Sequence, residues 1–430
     1  MPRALAILVF LNLMGEDTGT YGGLVTTPLA YVDALLFQPS PLKFPLSTYA
    51  LVVVLVALGG AGAAPRMRAR PMVKALLVSV ATIVLWIAIG AVRGGRVDQS
   101  GFQTFPFLNG VVLAFALMAA ARTPAHHSLL LKAIVAAATF RAAMGVGLYV
   151  FVVRKMRWNE APEFLTAHQD SVLFVTALII LITGALERAT PGARRAAWIL
   201  VPLILAGIQV NNRRLAWVSL LFGLVAAFAA YPPGRIKRRI VRAAMCVAPV
   251  VLIYMAVGWG RPESVFKPLR SLSSVGSRDD SSTRSRDNEN DGLIFTLAAN
   301  GALGTGFGHE YIETDTSLSA RNFAQYRYIP HNSVLGLLAF TGALGIAGIL
   351  LPLPISVFLN ARTARAARAP PERVAAVTGV AAIAICLNQM YGDMGFGSRT
   401  TVTVLAIAFA AAGRLSTWTG AWPGGPRKIQ

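Results

Sequence analysis

Acidic residues are scarce in this chain. Nineteen Asp and Glu stand against forty Lys and Arg in 430 residues, a formal net charge of +21. Only 14% of residues are charged, against about 25% in soluble domains, which excludes a soluble globular fold. Cysteine is almost missing: Cys246 and Cys386 both fall in apolar runs, so neither a disulfide framework nor a cysteine metal site is expected. There is no Asp-x-Asp and no His-Glu-x-x-His, and no Gly-Lys-Ser/Thr follows a glycine turn. No metal or other cofactor is therefore expected, and neither a P-loop nor a dinucleotide fingerprint is present. Ten-residue alternating segments are also missing, which excludes a transmembrane β-barrel. The first apolar run is followed by Gly15, Glu16 and Asp17 rather than by a small-residue cleavage site, so it is read as a short anchor or a half-buried helix.

What the chain has in abundance is apolar sequence. Hydrophobic residues make up 55% of it and the mean hydropathy is +0.58. Runs long enough to cross a bilayer recur along the whole length. The expected fold is all-α, a polytopic transmembrane bundle with about twelve spans. These are placed at 4–15, 44–64, 72–92, 103–121, 129–153, 170–186, 196–211, 214–231, 240–258, 332–357, 374–391 and 399–413. The chain divides into an N-terminal bundle (1–258), a large polar loop (259–331) and a C-terminal bundle (332–430).

Loop charge sets the orientation. One set of alternate loops carries Arg66, Arg68, Arg70 and Lys74, then Arg122, then Arg188, Arg194 and Arg195, then Arg235 to Arg239, then Arg362 to Arg373, and is nearly free of acid. This set is assigned to the cytoplasm. The long loop then faces outward, which in a bacterial inner membrane means the periplasm. In a soluble protein such a positive charge would suggest nucleic acid; here topology explains about half of it, and no nucleic-acid partner is expected. The outward loops remain rich in arginine rather than lysine, including Arg213, Arg214, Arg284, Arg286, Arg321, Arg327 and Arg399. A planar guanidinium fork suits phosphate, while membrane lipid headgroups are the simpler partner.

Several residues stand out for chemistry. Helices expected to begin at Arg213-Arg214, Pro330-His331 and Arg399-Thr400 point their positive dipole ends outward, where cations are mildly unfavourable unless an anion is bound. Histidine as a residue type titrates near neutral pH, and His331 sits where the polar loop meets an apolar helix, a setting suited to a general base or to a helix cap. His126 and His127 fall on the cytoplasmic side; His168 and His309 are outward but lack that junction. Arg141 lies mid-span, where a charge costs about 2.5–3.5 kcal/mol on insertion scales and marks a site by default; Asp393 is one possible partner. Asp287, Glu289, Asp291, Glu310 and Glu313 are expected mainly to solvate the loop. Residues 261–292 read as a flexible Ser/Arg-rich stretch, followed by a short surface helix at 293–300 and the turn Gly304-Thr305-Gly306-Phe307-Gly308.

These residues together resemble the O-antigen ligase and O-antigen polymerase superfamily. The resemblance rests on Arg284 and Arg286, on Gly304, Gly306 and Gly308, on His331-Asn332-Ser333-Val334-Leu335, on Thr341 to Gly345, and on the earlier Asn212-Arg213-Arg214. It implies a GT-C-like bundle and a metal-independent, inverting glycosyltransferase. The donor would be a glycan on undecaprenyl pyrophosphate. The acceptor would be lipid A-core in a ligase or a second lipid-linked glycan in a polymerase. On this chain it implies His331 as the base and Arg213 or Arg214, with Arg284 or Arg286, on the pyrophosphate. Arg141, Arg321, Arg327 and Arg399 are further candidates there, and Asn332, Gly304, Gly306 and Gly308 are candidates for acceptor contact or loop support. A lipid-linked saccharide transporter is the competing class, but it should show internal repeats, and none is evident. A scaffolding membrane protein would leave the outward arginines without a purpose.

Overall fold

A computed structural model of the chain describes residues 2–15, 68–156, 165–259, 281–315, 327–393 and 395–423, together with 261, 266 and 269. Among the described residues every regular element is helical. The α-helices are α1 (Pro2–Met14), α2 (Arg70–Val92), α3 (Val97–Ala120), α4 (Pro124–Phe151), α5 (Asp170–Glu187), α6 (Ala193–Asn211), α7 (Arg214–Ala230), α8 (Arg235–Gly258), α9 (Ser281–Asn300), α10 (Ser333–Leu350), α11 (Pro352–Ala366), α12 (Pro370–Gly392) and α13 (Arg399–Trp418).

Nine helices among the described residues are long and apolar enough to cross a membrane, and the chain is a multi-pass membrane protein on that ground. Against the twelve expected spans, α1 and α7 are shorter apolar helices, and 44–64 lies outside the described residues. The span expected at 332–357 is two helices. Gly342 takes φ 58° inside α10, a non-helical kink, and Pro352 opens α11 at a position where it lacks only a donor that would be unpaired anyway.

Burial sorts the helices into an inner and an outer set. The most apolar window of α13 is wholly buried, and α5 and α12 are largely so. Small residues make this possible. α13 carries Ala406, Ala408, Ala410, Ala411, Ala412 and Gly413, and α12 carries Ala375, Ala376, Gly379, Ala381 and Ala382, which let helix backbones approach without a hydrophobic driving force between them. α12 packs on α5, α7, α11 and α13, while α13 also packs on α3. At the other extreme, only Gly258 of α8 is buried. Its 24 residues span about 36 Å at 1.5 Å per residue, enough for a hydrocarbon core of about 30 Å, so Val250, Val251, Leu252 and Ile253 face lipid.

The alternation of helices gathers the loops at two ends. At one end lie the C-termini of α2, α4, α6 and α12 and the N-termini of α3, α5, α7, α10 and α13. Arg93 Nη1 donates to the Gly304 carbonyl at 2.5 Å there. At the other end the Ala69 N–H donates to the Gly413 carbonyl at 2.8 Å, and Arg373 pairs with Glu187 at 2.9 Å. The two loop sets separated by charge in the sequence are thus at opposite ends.

The polar loop is more ordered in its second part than the sequence suggested. Residues 281–300 form one 20-residue helix, α9, rather than a flexible stretch followed by a short helix. The reason is a buried stripe: Glu289, Gly292, Leu293 and Thr296 fall on one face, and α9 packs against α10.

Candidate functional site

The His331 turn is held by α9. Glu289, buried at 8% side-chain exposure, places Oε2 2.8 Å from Nδ1 of His331. Its Oε1 accepts from the His331 N–H at 2.6 Å and from the Asn332 N–H at 3.4 Å. The His331 side chain is 25% exposed. Asn332 caps α10, its Oδ1 accepting from the Leu335 N–H at 3.0 Å, while its Nδ2 donates to Asn290 at 3.2 Å. Ser333 continues the turn by accepting from the Phe396 N–H at 3.3 Å. A carboxylate on Nδ1 favours the tautomer with its proton there and makes Nε2 the basic nitrogen. Glu289 was expected to solvate the loop. The signal for its role was present as the 289, 292, 293, 296 spacing, hidden by the low hydropathy of the residues around it.

A second cluster adjoins this turn. Asp393, just past α12, is in ion-pair contact with His168 Nδ1. Burial pushes the Asp393 carboxyl upward, but the hydrogen bond from His168 and the charges of His168, Arg286 and His331 outweigh this and hold it below the usual carboxylate range. Arg286 and His331 therefore share the field of one carboxylate. On α9, Arg286 is half-buried on the Glu289 side, whereas Arg284 is exposed. Arg213 and Arg214 arrive from the α6–α7 turn. Asn212 takes φ 55°, a left-handed turn that Asn tolerates, and Arg213 is the N-cap of α7. Arg213 is half-buried and Arg214 exposed. The turn is brought beside Asp393 because Leu215 lies against Gly392, where an added Cβ would meet its Cδ1 at 2.7 Å.

The other candidates are placed elsewhere. Arg141 is fully buried and bound by Asp170, with Nε to Oδ1 at 2.6 Å and Nη2 to Oδ2 at 3.1 Å; its carboxylate partner is thus Asp170, at the start of α5, rather than Asp393. Arg327 is gripped by Glu310 at 2.8 Å and Glu313 at 2.5 Å. Arg399 donates to the Gly15 carbonyl at 3.3 Å, toward α1. Arg321 lies outside the described residues.

The glycine turn is a docking device. Thr305 and Gly306 donate to the Ala339 and Phe340 carbonyls at 3.3 and 2.7 Å, and Phe307 donates to the Trp86 carbonyl at 3.1 Å. The Gly308 N–H donates to Gln103 Oε1 at 2.6 Å. Gly306 has φ +88°, and a Cβ there would lie 2.4 Å from the backbone of Gly90, so only glycine fits. The turn wedges into the kink of α10 and leaves His331 fixed relative to α2 and α3. Beside it, a small crevice of about 30 Å³ opens between Phe307, Tyr328, Pro330, Leu337, Phe340 and Phe396. Among the described residues no three His, Cys, Asp or Glu side chains converge as a metal-ligand set.

Residues 198–351 match the family model for O-antigen ligase. No curated protein matches the chain. The matched segment runs from within α6 to the end of α10 and holds Arg213, Arg286, Glu289 and His331; it supports the resemblance to the O-antigen ligase and polymerase superfamily over that part of the chain.

Proposed function

We propose that the chain transfers a glycan from undecaprenyl pyrophosphate to an acceptor hydroxyl at the outer face of the bacterial inner membrane, with inversion and without a metal. The observation that carries this reading is the His331–Glu289 contact. The carboxylate orients the imidazole so that Nε2 takes the proton of the acceptor hydroxyl as its oxygen attacks the anomeric carbon. The bond from that carbon to the pyrophosphate oxygen breaks, and its electron pair leaves with the lipid pyrophosphate. Charge grows on the leaving group, so fixed cations next to it lower the barrier; losing one preorganised donor of this kind costs roughly 2.7–4 kcal/mol. Arg286, together with Arg213 or Arg214, is positioned for that task near the Asp393–His168 pair. A lipid A-core acceptor, as in a ligase, is the preferred form; a second lipid-linked glycan would make the protein a polymerase.

The test is deletion of the gene followed by a gel of surface polysaccharide, with complementation by the natural chain and by His331→Ala. Loss of long chains from lipid A with lipid-linked polymer retained indicates the ligase; accumulation of single repeats indicates the polymerase. Complementation by His331→Ala to the natural level would sink the catalytic assignment. Transfer is expected to persist in EDTA, and a strict divalent-metal requirement would count against the arginine mechanism. Orientation is checked by a reporter fused after Ser282, expected to report the periplasm.

A further inference from the structure

Among the spans of the described residues, α8 has the least protein around it: only Gly258 of its 24 residues is buried. It begins at the end of the bundle opposite His331. Its first eight residues, Arg235 to Arg242, carry five cations, and no acidic residue occurs between Glu187 and Glu263. The cations are sorted by face. Ile236 and Ile240 pack on the bundle. Lys237 lies beside them, its Nζ 4.5 Å from the centre of the Phe228 ring and 3.5 Å from the Tyr231 carbonyl. Arg235, Arg238, Arg239 and Arg242 are all exposed. Their i, i+3, i+4, i+7 spacing puts them on one face, turned away from Ile236 and Ile240.

Topology asks for positive charge on one side of the membrane. It does not ask for four arginines in register along the outward side of one helix. Like charges at these spacings repel one another, and an anion lying along them relieves this. Length brings the stripe to the headgroups. Residues 243–258 rise roughly 24 Å at 1.5 Å each, short of a hydrocarbon core of about 30 Å. Trp259, 61% exposed, marks the other interface. With Trp259 at one surface, Arg239 and Arg242 are drawn to phosphate depth at the other.

We infer that Arg235, Arg238, Arg239 and Arg242 form a docking surface for the headgroups of acidic phospholipids, and that this contact takes the place of protein packing in holding α8. The guanidinium fork matches a headgroup phosphate. An acidic headgroup has a net negative charge to offer the stripe, whereas a zwitterionic one brings a cation of its own.

Cys246 supplies the reporter. It is exposed, whereas Cys386 is buried, and at i+11 from Arg235 it lies on the arginine face, one turn past Arg242. The full-length chain is labelled there with a maleimide fluorophore in detergent. It is then reconstituted into bilayers of phosphatidylglycerol and phosphatidylcholine in which one lipid or the other carries brominated, quenching acyl chains. The two titrations should give a roughly fivefold preference for phosphatidylglycerol next to the label, and high salt should erode it. Arg238→Gln/Arg242→Gln should bring the preference below about twofold. Arg238→Lys/Arg242→Lys keeps the charge and should retain more of it, which separates loss of the lipid contact from damage to the fold. The inference is overturned if the two lipids quench the natural chain equally, if the preference is indifferent to salt, or if the Gln variant keeps the natural preference.

Discussion

Residues 301–332 contain two turns, and they use their polar atoms in opposite ways. In the glycine turn the N–H groups of residues 305–308 are taken up by carbonyls of α2 and α10 and by Gln103 of α3, so those donors are spent on holding the turn. In the His331 turn the polar contact is a carboxylate arriving from another helix, and it acts on a titratable ring. Both turns looked like binding elements in the sequence. The difference teaches that a glycine-rich motif next to a charged loop can serve to hold the loop, while the chemistry proposed above belongs to the neighbouring turn.

Substitutions in the second turn should therefore move activity, and those in the first should move stability. The largest effect is expected at His331. His331→Ala removes the base, and positioned general bases contribute about 10²–10⁴-fold; transfer should fall by that factor in a membrane-fraction assay, with the amount of inserted protein unchanged. Next is Arg286→Gln, with a loss of about 10²–10³-fold, set against Arg284→Gln, which should stay within about twofold because Arg284 is exposed on the far side of α9. Equal losses in the two variants would show that the burial difference between them does not matter. Glu289→Gln comes third. It keeps the shape and the acceptor for the backbone N–H but removes the charge behind the ring, so kcat should drop by about 10–100-fold with a small change in KM. An unaltered kcat would reduce Glu289 to a loop support.

The sequence revealed the membrane class and the helix order because both rest on long apolar runs, whose burial or lipid exposure does not depend on the partner. It also pointed to His331, through the junction of a polar loop with an apolar helix and through the resemblance. It did not reveal the partners. Glu289 looked like one more loop acid because a helix whose first half is Ser, Thr, Arg, Asp and Asn has almost no hydropathy signal; its buried stripe is only four residues. Asp170 went unnoticed as the partner of Arg141, since the two are separated by 29 residues and meet only once α4 and α5 pack. The contacts of Arg327 with Glu310 and Glu313 failed to register for a related reason: a salt bridge within a loop depends on how the loop folds back, which no periodicity encodes. Residues that act singly were legible, and pairs were not.

The smallest expected effect on chemistry is in the glycine turn, and it is the sharpest test of the contrast. Gly306→Ala adds a Cβ at φ +88° that would lie 2.4 Å from the Gly90 backbone. The unfavourable backbone region alone costs about 1–3 kcal/mol, and the contact is with main chain, which cannot swing aside. Gly301→Ala is the control: its φ is +62°, but nothing lies within 4 Å of the added carbon, so only the backbone preference is lost. Gly306→Ala should lower the thermal midpoint and the yield of folded protein more than Gly301→Ala does, while transfer per folded molecule falls far less than in His331→Ala. If Gly306→Ala instead keeps the natural midpoint and loses transfer, the turn takes part in substrate binding and the division between a holding turn and a working turn fails.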